Sequence, residues 1–250
     1  GAALSVSGCV LQSILRNDLA TPYTLGISAG AGLVAGTVIV SGAAIPVIGF
    51  VAAGTAGALL TVFLVYSLAA RGSGQRFGST LILAGVTMNL VGASILLLME
   101  YFSDASRIME IVRWMMGDTA VIGWQKPLFL IPPVAVGLFL IALRTGTMNQ
   151  ISQGDEIAST RGVSVKRERN ILLVSAALLA GSTVGAVGPV GFVGLMVPHI
   201  MRRFTGSDYR YLVPASAMGG MVLMVLADFF SRVVISPAEL PIGIVMALLG

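Results

Sequence analysis

The sequence has 250 residues, of which 56% are hydrophobic and only 10% charged, and its mean hydropathy is +0.94. A soluble domain carries about 25% charged residues, so an ordinary soluble enzyme or binding module is excluded and an integral membrane protein is described. The net charge of +4 would suggest nucleic acid in a soluble chain, but here the basic residues fall in short links between apolar runs, where they read as topology signals.

The apolar runs are too long for barrel strands. A chain in lipid must also satisfy its own backbone hydrogen bonds, so the spans are expected to be helices. The first piece, Gly1 to Leu15, is too short to cross the hydrocarbon core, which takes about 20 residues, and reads as the end of a longer helix. It stops at Arg16-Asn17-Asp18, and Thr21-Pro22 followed by Gly26 predicts a turn-rich loop. Candidate spans follow at Gly26 to Gly42, Ala44 to Ala70, Ser79 to Phe102, Leu128 to Leu143, Ile171 to Val187, Val190 to Phe204 and Leu212 to Val234, with a partial one from Pro241. With both partial pieces that makes nine, and both ends of the chain read as truncated. Glycines spaced four apart, Gly26 with Gly30, Gly32 with Gly36 and Gly181 with Gly185, predict close helix approach.

Between the spans lie two segments with their own character. Ser103 to Lys126 punctuates an apolar pattern with Asp104, Arg107, Glu110, Arg113 and Asp118, too short and too charged to span. It is expected to lie along the outer interface as a helix (segment 103–126), with Trp114 and Trp124 at headgroup depth. Asn149 to Asn170 is the longest polar stretch of the chain. It predicts a short helix over Asp155 to Thr160, capped by Ser152 or Asp155 and ended at Gly162, with Lys166, Arg167 and Arg169 leading into the next span. Such an island suits either a docking surface or a solvated connector.

Orientation follows from counting Lys and Arg. With the island inside, eleven fall on its side (Arg16, Arg71, Arg76, Arg144, Arg161, Lys166, Arg167, Arg169, Arg202, Arg203 and Arg210) against four opposite (Arg107, Arg113, Lys126 and Arg232). The asymmetry places the island in the cytoplasm and Ser103 to Lys126 outside.

Further along, Gly188-Pro189 predicts a tight outer reversal, and Pro198 a bend in the returning helix. His199 is expected to be a loop histidine bonded to backbone. As the sole histidine it excludes a multi-histidine metal centre, and a single cysteine, Cys9, excludes an intramolecular disulfide. Asp228 and Arg232, four apart in the favourable order, should pair near the outer end of their helix. Gln12, Asn89 and Met88 are candidate pathway-lining residues within the apolar runs, and the amides serve equally as interhelical hydrogen bonders.

Absences narrow the class. No phosphate-loop motif, no zinc-protease spacing and no paired buried carboxylates occur. If the chain moves a solute uphill, the energy comes from a partner. The alternative is a secondary transporter with its substrate site at broken helices, and a third reading is a structural membrane subunit without transport.

The motifs resemble those of FecCD-type ABC importer permeases. The resemblance rests on Gln12 through Arg16-Asn17-Asp18-Leu19-Ala20-Thr21-Pro22, Leu83-Ala84-Gly85-Val86, Trp114-Met115-Met116-Gly117, Arg161-Gly162-Val163, Gly188 to Leu195 with Pro198-His199 and Arg202, Asp208-Tyr209-Arg210, Ala227-Asp228 and Glu239 to Gly243. It implies an all-α polytopic transmembrane bundle of the type II importer kind over 1–250, with ten helices when intact and about nine represented here. By resemblance, Gly154, Asp155, Glu156, Ala158, Arg161, Gly162 and Val163, in the cytoplasmic coupling loop 149–170, dock a cytoplasmic ABC ATPase. Arg232 meets the external substrate-binding lipoprotein or periplasmic protein, and Pro198, His199, Arg202, Asp208 and Arg210 form a cytoplasmic signature. The chain itself is expected to be no enzyme and to bind no cofactor or metal, with ATP and magnesium in the partner ATPase. A second permease subunit, identical or paralogous, would complete the pathway for an iron-siderophore, haem or cobalamin complex in the bacterial inner membrane, and no nucleic acid is involved. The chain departs from the family pattern at two positions, with Asp18 where proline is common and Tyr209 where histidine is common.

Overall fold

The computed structural model describes residues 1–43, 46–70, 77–119, 124–234 and 239–250. Among these residues the chain forms twelve helices: α1 (Ala2–Leu15), α2 (Ile27–Ser41), α3 (Val47–Ala69), α4 (Phe77–Tyr101), α5 (Ala105–Met115), α6 (Gln125–Ala142), α7 (Thr145–Gln153), α8 (Asp155–Thr160), α9 (Val165–Val187), α10 (Val193–Thr205), α11 (Tyr209–Val233) and α12 (Ile242–Leu249). The nine apolar pieces read from the sequence all become helices, namely α1 to α4, α6 and α9 to α12. Five of these are long and apolar enough to cross a membrane (α3, α4, α6, α9 and α11), while α1 and α2 are shorter apolar helices. Arg71 and Arg76, used in the orientation count, lie outside the described residues, as do 120–123 of the outer segment.

Hydropathy marks where a span is apolar, whereas the backbone stays helical for as long as nothing breaks it. The clearest correction is at α9, which begins at Val165 rather than Ile171, so the basic cluster Lys166, Arg167 and Arg169 belongs to its first two turns. Those residues are good helix formers with no glycine or proline among them, so the helix extends past the hydrocarbon into water. For the same reason α11 starts at Tyr209, three residues ahead of the apolar run.

The bundle is centred on α1 and α9. Every residue of α1 from Ala3 to Ile14 is buried, and 67% of the apolar window of α9 is buried against 11% for α6, which therefore faces outward over most of its surface. Without water to drive association inside a bilayer, close approach of backbones supplies much of the packing. A methyl group built on Gly8 of α1 would collide with the Gly194 carbonyl of α10. Between α3 and α9, Gly54 meets Gly185 and Ala58 meets Gly181 in the same way.

Charge gathers at the two ends of this bundle. One end holds the ion pairs Arg16–Asp155, Arg169–Asp155, Arg144–Glu168 and Arg202–Asp18. The opposite end holds Arg107–Glu110 and the contacts of Arg232 with Asp228 and Glu239.

Candidate coupling face and outer rim

At the basic end the polar island folds as α7, α8 and the start of α9. Gly154 takes φ +135° between α7 and α8, and Gly162, at φ +82°, ends α8, backbone conformations that glycine adopts without the steric penalty of a Cβ. The cap differs from expectation. Gly154 occupies the N-cap position with no side-chain bond, while Ser152 lies inside α7 and donates to the Asn149 carbonyl. Ala158, on the inner face of α8, is fully buried, the Val163 N–H donates to its carbonyl at 3.0 Å, and Arg161 donates to the Gln153 Oε1 at 3.2 Å. Glu156, Ile157, Ser159 and Thr160 are left exposed. The result is a six-residue knob, anchored on one face and bare on the other.

Asp155, free of any cap role, instead binds Arg16 at 2.6 Å and Arg169 at 2.9 Å. Arg169 is 8% exposed, and its guanidinium lies 4.5 Å above the centre of the Phe77 ring. Beside this cluster runs a groove of about 660 Å³ whose walls include Arg16, Phe77, Gln153, Glu156 and Ile157.

The neighbouring signature residues form a second, independent set of ties. The Asn149 amide donates to the Asp208 carboxylate at 2.6 Å and accepts from the Tyr209 N–H at 2.9 Å, fastening α7 to the start of α11. Asp208 also caps α11 by accepting from the Arg210 N–H at 2.9 Å. That backbone bond first, and the Asn149 amide second, hold its carboxyl below its ordinary pKa, so it stays ionised as the cap acceptor. Arg202 of α10 reaches Asp18 at 2.5 Å and the Gln12 Oε1 at 3.1 Å. Pro198 is buried within α10. His199 is also helical, in the middle of α10, and exposed, which corrects the expectation of a loop histidine.

The three candidate pathway residues have internal roles in this conformation. Gln12 is 2% exposed, its Nε2 donating to the Gly194 carbonyl at 3.3 Å while its oxygen serves Arg202, so it links α1 to α10. Asn89 donates to the Tyr23 carbonyl, and Met88 is half-buried beside Gly26. The sequence reading missed the partners Asp18, Asn149 and Glu239. Their only signal was a polar side chain next to the end of a span.

At the opposite end Arg232 donates from Nε to Asp228 at 2.9 Å and lies 3.4 Å from Glu239, with the Thr119 hydroxyl donating to Asp228 at 2.6 Å. These residues, with Arg113 and Asp118, line a cavity of about 220 Å³. The rim is knitted by backbone: Asp118 N–H to the Val187 carbonyl at 2.8 Å and Gly243 N–H to the Met116 carbonyl at 3.0 Å. α5 buries Ile111, and its Arg107 donates to the Ile39 carbonyl at 2.9 Å. Trp124 is 84% exposed, and Trp114 is half-buried against α2 beside Gly32.

Apolar helices packed through small residues, with a bonded knob at the basic end and a charged rim at the other, define a multi-pass membrane protein. A model of the FecCD transport family matches residues 1–250, and the chain belongs to that family. It is 39% identical over 254 residues to the uncharacterized ABC transporter permease protein YvrB of Bacillus subtilis (strain 168), covering all of this chain and 71% of that protein. It is 34% identical over 258 residues to the hemin transport system permease protein HmuU of Yersinia pestis, covering all of this chain and 75% of that one. A solved structure of a metal-chelate type ABC transporter in an inward-facing conformation superposes with a TM-score of 0.91 at 29% identity, over the whole of this chain and 79% of the other. The chain is thus a transport component, the permease subunit of an ABC importer.

Proposed function

We propose that this permease carries a metal chelate of the iron-siderophore, haem or cobalamin kind inward across a bacterial inner membrane. Two permease subunits, identical or paralogous, enclose the pathway. An external binding protein delivers the substrate at the rim around Arg232. ATP hydrolysis, with magnesium, takes place in a separate cytoplasmic subunit that grips α8.

The observation that carries this reading is the construction of α8. A helix of six residues would not hold its shape in water alone, yet here its inner face is pinned through Ala158, Val163 and Asp155 while Glu156, Ile157, Ser159 and Thr160 stand free. A rigid knob whose exposed face combines Glu156, Ser159 and Thr160 with the apolar Ile157 suits a cleft on a soluble partner. The substrate class is supported by the resemblance to a hemin permease and to a metal-chelate transporter.

The test is co-purification of the tagged permease with its ABC ATPase in mild detergent, followed by uptake in cells. Gly162→Val, which forces a β-branched side chain into φ +82°, and Glu156→Lys should each lower uptake by roughly tenfold or more while membrane insertion stays intact. Normal uptake by both variants defeats the coupling role of α8.

A further inference from the structure

One carboxylate at the basic end gathers three helices besides its own. Asp155 opens α8, and its Oδ1 accepts from the Arg16 Nη2 at 2.6 Å. A single nitrogen of Arg169, Nη2, donates to both Asp155 oxygens, at 2.9 and 3.0 Å. Arg16 follows the last residue of α1, Arg169 lies in the second turn of α9, and the Phe77 ring under Arg169 begins α4.

The two legs of this clamp are unequal. The Arg169 side chain is 9% exposed, braced by the carboxylate and by the aromatic ring. Removing its partner would strand a buried charge, which is among the costlier defects in a folded chain. The Arg16 side chain is 44% exposed and offers Asp155 one contact from a residue in the left-handed region, at φ +49°. A pair so open to water is screened and contributes little to stability, so it can break and re-form at small cost.

We propose that Asp155 is the pivot of α8: its bond to Arg169 persists through the transport cycle, while its bond to Arg16 opens and closes. α8 then moves as one body with α9 and the start of α4, and engages α1 in only part of the cycle. α1 is buried along nearly its whole length, and Gln12 joins it to α10. A push delivered at Arg16 therefore enters the centre of the bundle. The proposal rests on the reading of α8 as the ATPase-gripping helix.

The experiment uses the full complex of permease, ABC ATPase and binding protein in mild detergent. It reads ATPase retained per permease, and the ratio of ATP turnover with and without the binding protein. Arg169→Gln should cut retention by about fivefold or more, as should Asp155→Asn, and Asp155→Glu should restore it. Arg16→Gln should keep retention at the parental level but change the turnover ratio by about threefold or more. Raising the salt to about 0.5 M should give the parental complex the Arg16→Gln ratio and leave the variant unmoved, because screening acts on the exposed leg. Equal behaviour of the two arginine variants, or an equal salt response in parent and Arg16→Gln, overturns the proposal. Should Arg169→Gln fail to fold, Arg169→Lys keeps the charge but cannot reproduce the planar guanidinium on Phe77, and it should lower retention without changing the salt response of the ratio. A parental permease that retains no ATPase would instead sink the underlying function.

Discussion

Gln12 shows how a polar side chain is made tolerable in the middle of a membrane protein. Its two polar ends are divided between a backbone carbonyl of α10, at Gly194, and the guanidinium of Arg202 on the same helix. The site is 2% exposed, so neither group could turn to water if the amide were removed. Gln12→Leu keeps nearly the same volume but leaves the Gly194 carbonyl unpaired and reduces Arg202 to its contact with Asp18. We expect a loss of about 1–3 kcal/mol in stability, seen as a lower unfolding temperature of the detergent-solubilised permease. An unchanged unfolding temperature would mean that water or lipid replaces the amide. The Asp18 carboxylate gives Arg202 a partner that a proline at this position could not.

At the scale of elements, helix ends carry the ion pairs and helix interiors carry the packing. α8 is positioned by flanking glycines with positive φ and by Asp155, and the end of α11 presents Arg232 at the opposite face. Arg232 is already engaged by Asp228 and Glu239. If the proposed binding protein docks here, its carboxylate must share or displace one of these partners, with Glu239 the longer contact at 3.4 Å. Arg232→Glu would place three carboxylates together and reverse the charge offered to the partner. The expected outcome is a Kd for the binding protein raised roughly tenfold at low salt, with the difference shrinking as salt increases. Unchanged affinity at low salt would remove Arg232 from the docking surface.

For the molecule as a whole, the seam between α3 and α9 ties the central helix to the bundle. Gly54 with Gly185 and Ala58 with Gly181 let these two backbones approach more closely than side chains would permit. Gly181→Val should force the seam apart, at a cost of about 1–3 kcal/mol from overpacking. Because α9 also carries Arg169 at its start, the variant should lose ATPase retention along with thermal stability. A Gly181→Val permease that unfolds at the parental temperature would show that the helices separate freely here. Gly137, which faces Leu179 across α6 and α9, belongs to the periphery, where α6 is largely exposed along its length.

The sequence alone determined the class. Its apolar runs are long enough to specify helices in lipid, its basic residues are biased to one side of them, and its motifs resemble one permease family from Gln12 to Gly243. It also placed a short helix over Asp155 to Thr160 ended by Gly162, as found in α8, but put its cap at Ser152 or Asp155, where Gly154 stands instead. Only the tertiary structure decided that α1 and α9 form the centre while α6 lies at the edge. In a membrane an apolar side chain is equally at home against lipid or against another helix, so hydropathy cannot separate the two environments. The same holds for the partners of Asp155, Gln12 and Asp208. The bonds of Arg16 with Asp155, Gln12 with Arg202 and Asn149 with Asp208 join residues far apart in the chain, and such distances close only when the bundle folds.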